Sequence, residues 1–182
     1  INMIFIKENF ISEKKCQEII DQKVSLVHPV DYAEFVDEYG QVNEVTDVKE
    51  KDRKSDITTY RDLNLRYDII HFLSTNLNLD FHQLDEYETF HFIRYSESDH
   101  FAWHNDVTRK KEYYTGIISL NDSYEGGELL YRDSTRNIHQ FIKKAGTLIL
   151  FPANTYHAVK KITKGTRFSL ATWFFSKHKT LI

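Results

Sequence analysis

Residues 147–175 read TLILFPANTYHAVKKITKGTRFSLATWFF. Three runs rich in apolar, β-branched and aromatic residues (Thr147 to Phe151, Tyr156 to Ile162 and Arg167 to Phe175) are separated by Pro152-Ala153-Asn154 and Lys164-Gly165. Runs this short, punctuated by turn residues, predict strands. The same grammar extends upstream through Thr89 to Tyr95, Phe101 to Asp106, Tyr113 to Leu120, Glu128 to Tyr131 and Ile138 to Ile142. Asn121-Asp122, Gly126-Gly127 and Lys144-Ala145-Gly146 sit between them. Eight runs at this spacing predict an all-β sandwich or barrel, and that number suits a jelly roll.

The first third reads as helix and loop. Ser12 is placed to cap a helix ending near Lys23, with Cys16, Ile19 and Ile20 on one face. Leu63, Tyr67, Ile70, Leu73 and Leu77 step by three and four, predicting an amphipathic helix lying on a sheet. Between them, His28 to Asp56 is polar and acid-rich, with Tyr32, Phe35 and Tyr39 spaced along it. A segment of such length is expected to be irregular, a mobile lid with aromatic anchors. One domain over 1–182 is expected, divided into a helical and lid region at about 1–87 and a β core at about 88–176.

The chain has 182 residues, 41% hydrophobic and 28% charged, a composition that suits one globular domain with a sizeable core. Its formal charge of −3 argues against bulk attraction to nucleic acid or anionic lipid. Cys16 is the only cysteine, which excludes an internal disulfide and a thiolate zinc site. Lys7, Glu8 and Asn9 break any signal-peptide apolar region, and no run reaches the roughly 18 apolar residues of a membrane span. Ile1-Asn2 is read as a leftover ahead of a native start at Met3, and a cytoplasmic location is expected.

His104-x-Asp106 puts an imidazole and a carboxylate on one face of a predicted strand. A chain with nine histidines supplies about one such pair by chance, so its weight comes from context. His157 lies on a late strand, and Arg167 follows ten residues later at the start of the last one. Two histidines and one carboxylate on one side of an octahedral ion leave three positions open, the arrangement Fe(II) uses with a chelating cosubstrate and oxygen. A guanidinium in the same pocket pairs bidentately with a carboxylate and keeps its charge when dry.

From Phe92 to Ser176 the chain resembles the 2-oxoglutarate and Fe(II)-dependent oxygenases of the prolyl 4-hydroxylase type, especially their bacterial and phage PKHD-like branch. The matching residues are Arg94-Tyr95, His104-Asn105-Asp106, the run Ser119 to Leu129 with Gly126-Gly127-Glu128, and Gly146 to Pro152. They continue with His157-Ala158-Val159 and with Gly165 to Ser169 leading to Trp173. The resemblance implies a double-stranded β-helix, a distorted cupin-like jelly roll, with supporting helices on its larger sheet. It implies that His104, Asp106 and His157 hold Fe(II), that Arg167 binds the distal carboxylate of 2-oxoglutarate, and that Tyr95 and Ser169 line the cosubstrate pocket. Oxygen is the second cosubstrate, and ascorbate is a candidate stimulant. The activity implied is hydroxylation of a protein or peptide side chain, prolyl first, with 2-oxoglutarate converted to succinate and CO2.

Two positions depart from the pattern. Ser98 stands where a glycine is common, and Ser119 where a tyrosine often precedes the Leu-Asn pair, which leaves Tyr95, Ser119 or Ser169 to supply a hydroxyl to the cosubstrate. Trp173 is read as core and Gly126-Gly127 as a corner. Arg109-Lys110-Lys111, after the His-x-Asp pair, could steer an acidic peptide or be a solvated turn. The other histidines are read as surface or core residues. Two alternatives stand beside the peptide hydroxylase: an oxygenase of a free amino acid, small metabolite or nucleobase, and a non-catalytic cupin-like binding module.

Overall fold

Residue alternation sorts the strands of the larger sheet between two cores, and that division builds the site. The computed structural model describes residues 3–30, 33–36, 42–45, 52–78, 84–86, 89–107 and 112–176. Its elements begin with β1 (Phe5–Lys7), α1 (Glu13–Lys23), β2 (His28–Pro29), β3 (Ala33–Val36), β4 (Val42–Val45), β5 (Arg53–Lys54), β6 (Asp56–Tyr60) and α2 (Leu63–Leu77). There follow β7 (Leu84–Glu86), β8 (Phe90–Tyr95), β9 (His100–His104), β10 (Glu112–Ser119), β11 (Glu125–Gly126), β12 (Leu129–Arg132) and β13 (Ile138–Gln140). The chain closes with β14 (Leu148–Pro152), β15 (His157–Val159), β16 (Ile162–Lys164) and β17 (Arg167–Ser176).

The larger sheet runs β1-β14-β10-β17-β8-β6-β2, with β7 pairing β17. The smaller runs β13-β12-β15-β9-β5. The two face each other as a double-stranded β-helix. Leu148 and Leu150 of β14, Leu170 and Phe174 of β17, and Phe90 and Phe92 of β8 join one core with both helices. Their neighbours Ile149, Phe151, Ala171, Ile93 and Tyr95 join a second core, inside the barrel. A sheet covered on both faces needs apolar residues at consecutive positions, which is why these strands read as continuous runs.

Ser12 caps α1 by accepting the Lys15 amide at 3.1 Å, a contact worth about 1 kcal/mol, and the helix ends at Lys23 as expected. Helix α2 is present, with Ile70, Leu73 and Leu77 of the expected stripe buried, but its first two turns present a different pair. Leu63 and Tyr67 are more than half exposed, and the sheet-facing side is Leu65, Ile69, Ile70, Leu73 and Leu77. The 63/67 and 65/69 series are both apolar, so periodicity alone does not choose between them. Asp62 decides: its carboxylate caps Leu65 N, accepts from Tyr60 and pairs with Lys15 of α1 at 3.0 Å, fixing the helix's rotation.

The first third is more than helix and loop, because β1, β2 and β6 extend the larger sheet and β5 pairs with β9 in the smaller. Within 28–56, expected to be irregular, β3 and β4 form an antiparallel ladder with Phe35 opposite Asn43. Tyr32, Tyr39, Arg109, Lys110 and Lys111 lie outside the described residues, as does the side chain of Phe35. Among the described residues no helix is long and apolar enough to cross a membrane.

Candidate active site

Two register relationships assemble the centre. In the smaller sheet, His157 of β15 lies opposite His104 of β9, and the imidazoles approach to 4.1 Å between ring centroids. Strand β9 stops at His104, so Asp106 reaches the same point from the loop beyond rather than from a strand face. Its amide is tied to Ala153 O at 2.8 Å, just past β14. The nearest His104 Nε2 and His157 Nε2 contacts to the Asp106 carboxylate are each 3.6 Å, and the three donor atoms lie within 4.8 Å of one another.

Each imidazole is held from behind. His104 Nδ1 donates to Ala102 O at 2.7 Å and His157 Nδ1 to Thr155 O at 2.9 Å. A carbonyl only accepts, so Nδ1 carries a proton in both rings, and Nε2 is the atom of each that is turned toward the Asp106 carboxylate. Phe101 stacks on His104 with ring centroids 3.6 Å apart, and the Arg53 guanidinium lies 4.5 Å over Phe101. Burial, and then the neighbouring His157, push His104 down to about 3. Burial alone would raise Asp106, but His157, His104 and hydrogen bonds from Thr115 and Trp173 outweigh it and hold the carboxyl below its ordinary value. A neutral imidazole beside an ionised carboxylate is a set of acceptors with no proton to displace, and these residues therefore fit a divalent cation.

Arg167 opens β17 opposite Tyr95 of β8, its guanidinium 5.3 Å from the Tyr95 ring, and is 3% exposed. Asn121 clamps its flanks, donating to Thr166 O and accepting from Phe168 N, both at 2.8 Å. One pocket is lined by His104, Asp106, His157, Tyr95, Arg167 and Ser169, with Ile117, Leu129 and Val159 among its apolar walls. All six sequence-predicted site residues thus meet in one cavity. Ser119, the third hydroxyl weighed from the sequence, lies opposite Ser169 on β10 but is not part of the lining.

Three residues were not anticipated at the site. Trp173, read as core, lines the pocket and its indole hydrogen-bonds Asp106. Thr115 Oγ1 donates to Asp106 Oδ2 at 2.6 Å. The buried Tyr124 phenol accepts a hydrogen bond from Arg167, while Lys143 sits 3.8 Å over the Tyr124 ring and donates to its carbonyl. Gly127 makes room for this phenol. Its φ is +64°, and a Cβ there would stand 2.2 Å from Ile162 Cδ1 and 3.1 Å from the Tyr124 ring. The glycine pair was legible as a corner, but nothing local showed that the corner seats Tyr124 against Arg167.

Residues 90–175 match the family model of the 2OG-Fe(II) oxygenase superfamily. A PKHD-type hydroxylase of Hyphomonas neptunium is 33% identical over 97 residues, covering 47% of this chain and 42% of that protein. The chain thus spans about two fifths of the length of that curated relative. Among solved structures, a Pseudomonas putida prolyl-4-hydroxylase superposes with a TM-score of 0.70 at 17% identity, over 97% of this chain and 94% of that one. A Trichoplax adhaerens prolyl hydroxylase, in complex with a hypoxia inducible factor oxygen degradation domain peptide fragment, gives 0.68 at 16% identity, over 97% and 84%. At these identities the structural matches speak for the fold.

Proposed function

We propose that this chain, whose residues 90–175 match the family model of the 2OG-Fe(II) oxygenase superfamily, is an Fe(II)- and 2-oxoglutarate-dependent dioxygenase that hydroxylates a protein or peptide side chain, with prolyl the first candidate. The observation that carries this reading is the convergence of His104, Asp106 and His157 in the same pocket as the Arg167 guanidinium. PKHD-type hydroxylases among its relatives and a peptide-bound prolyl hydroxylase of the same fold support the peptide class.

His104, Asp106 and His157 would hold the metal through two imidazole nitrogens and a carboxylate. Bound there, Fe(II) would supply the redox chemistry that couples decarboxylation of 2-oxoglutarate to insertion of one oxygen into a substrate C–H. Arg167 would take the distal carboxylate of 2-oxoglutarate as a two-pronged donor, with Tyr124 and Asn121 fixing the direction of the fork. Tyr95 and Ser169 would add hydroxyls at the same end. Ile117, Leu129 and Val159 would exclude water, which strengthens the charge pairing between Arg167 and the carboxylate.

The test is succinate release from 2-oxoglutarate with Fe(II) over a panel of proline-containing peptides, read with the mass gain of one oxygen on the peptide. Succinate without oxygen gain on any peptide would remove the peptide class. No Fe(II)-dependent succinate would remove the activity.

A further inference from the structure

The register of the smaller sheet continues past the metal-binding candidates. His104 lies opposite His157, His157 opposite Tyr131, and Tyr131 opposite His139. Paired residues of adjacent strands share a face, so these four side chains form one row across β9, β15, β12 and β13. The row begins in the pocket and ends at an imidazole whose side chain is 44% exposed.

The outer half of the row is built rigidly. Tyr131 stacks on Phe141 at 4.4 Å between centroids, Phe141 on Phe151 at 5.6 Å, and Phe151 meets His157 edge-on at 4.8 Å. Tyr131 also stacks on His139 at 5.1 Å. His139 is pinned in turn, because its Nε2 lies 2.7 Å from Asp133 Oδ2. Asp133 is held well below the usual carboxylate range, first by that hydrogen bond and then by Thr135, so it only accepts and the proton sits on His139 Nε2. In the neutral ring Nδ1 then carries a lone pair, and among the described residues it has no hydrogen-bond partner.

We propose that Tyr131 and His139 form a ledge that binds the main chain of an extended peptide substrate, with the Tyr131 ring flanking the target residue and His139 Nδ1 accepting a backbone N–H further along. Length favours a peptide over a free amino acid. His139 is two strands from His157, about 10 Å at the usual strand spacing. One residue of extended chain covers at most ~3.6 Å, so only a substrate of roughly three residues or more reaches both. The charged group paired with His139 is the anion Asp133, which suits a backbone N–H donor better than a phosphate.

This inference rests on the oxygenase reading for its target residue, but binding tests it separately. The protein loaded with Mn(II) and 2-oxoglutarate is titrated calorimetrically at about pH 8 with acetyl-(Ala-Pro)5-amide and with free L-proline. The peptide is expected to bind at least tenfold more tightly than L-proline. His139→Gln keeps an amide against Asp133 but has no acceptor at the Nδ1 position, and should weaken the peptide about tenfold. His139→Asn restores an oxygen near Nδ1 while losing the Asp133 contact, and should stay within about threefold of wild type. Tyr131→Ala should cost tenfold or more, and Tyr131→Phe little. A merely structural His139 would show the opposite order, with Gln better than Asn. That order, equal binding of peptide and L-proline, or no binding of the peptide to the wild-type protein would overturn the ledge. Absence of Fe(II)-dependent succinate release, with the Gln and Asn split intact, would instead count against the oxygenase reading alone.

Discussion

Thr115 and Trp173 face each other across the β10–β17 ladder, and both reach the carboxylate of Asp106. Asp106 sits outside any strand, so these two side chains and the Ala153 backbone contact do for it what strand pairing does for His104 and His157. The larger sheet thereby aims a ligand that the smaller sheet does not hold.

Thr115→Val keeps the shape of a buried side chain and removes the 2.6 Å hydrogen bond to Asp106. Hydrogen bonds behind a ligand are typically worth 10- to 100-fold in metal affinity, so Mn(II) or Fe(II) should bind roughly that much more weakly. Calorimetric titration measures it. Unchanged affinity would mean that Thr115 does not orient the carboxylate.

His104→Ala, Asp106→Ala and His157→Ala should each abolish metal binding and turnover while the thermal midpoint without metal stays near wild type. The three side chains line a cavity, whereas stability resides in the two apolar cores. A variant that bound iron normally would lose its place as a ligand.

Arg167→Leu should weaken 2-oxoglutarate by roughly 2 to 5 kcal/mol while metal binding persists, because a buried carboxylate would lose its charged partner. Lysine should rescue in part, since a point charge lacks the fork. Tyr124→Phe keeps the ring under Lys143 and removes only the acceptor for Arg167, so a smaller loss of about tenfold is expected in the affinity for 2-oxoglutarate. Wild-type affinity in Arg167→Leu would take Arg167 out of the pocket's chemistry.

His91 packs edge-on against Trp173 at 4.9 Å, and burial, followed by the charge of Arg53, pushes it down to about 4. In the unfolded chain it titrates near 6.5. The unfolded state therefore takes up this proton first as the pH falls: the contribution is intact above about pH 6.5 and is lost between there and about 4. His91→Phe keeps an aromatic edge and removes the titration, so its loss of stability from about pH 7 to pH 4.5 should be smaller by roughly 1 to 3 kcal/mol. Urea midpoints across that range decide, and parallel curves for the two proteins would contradict it.

Although the expected run Tyr156 to Ile162 is split into β15 and β16 and β11 was not expected, adjacent residues carried most of the strand runs from Phe90 onward, the limits of α1 between Ser12 and Lys23, and the order in which His104, Asp106, His157 and Arg167 arrive. These are local properties: β-branched runs, a capping hydroxyl, turn residues and a motif spacing are written in adjacent positions. The tertiary structure was needed to choose Leu65 and Ile69 over Leu63 and Tyr67 in the first turns of α2, because two apolar series compete there and Asp62 settles them through Lys15, 47 positions earlier. It likewise brought Thr115 and Trp173 to Asp106, Tyr124 to Arg167, and Tyr131 with His139 into line with His157. Which side chains face each other across a ladder depends on the register of strands far apart in the chain. A shift of one residue would send each of them to the opposite face, and no neighbouring residue records that choice.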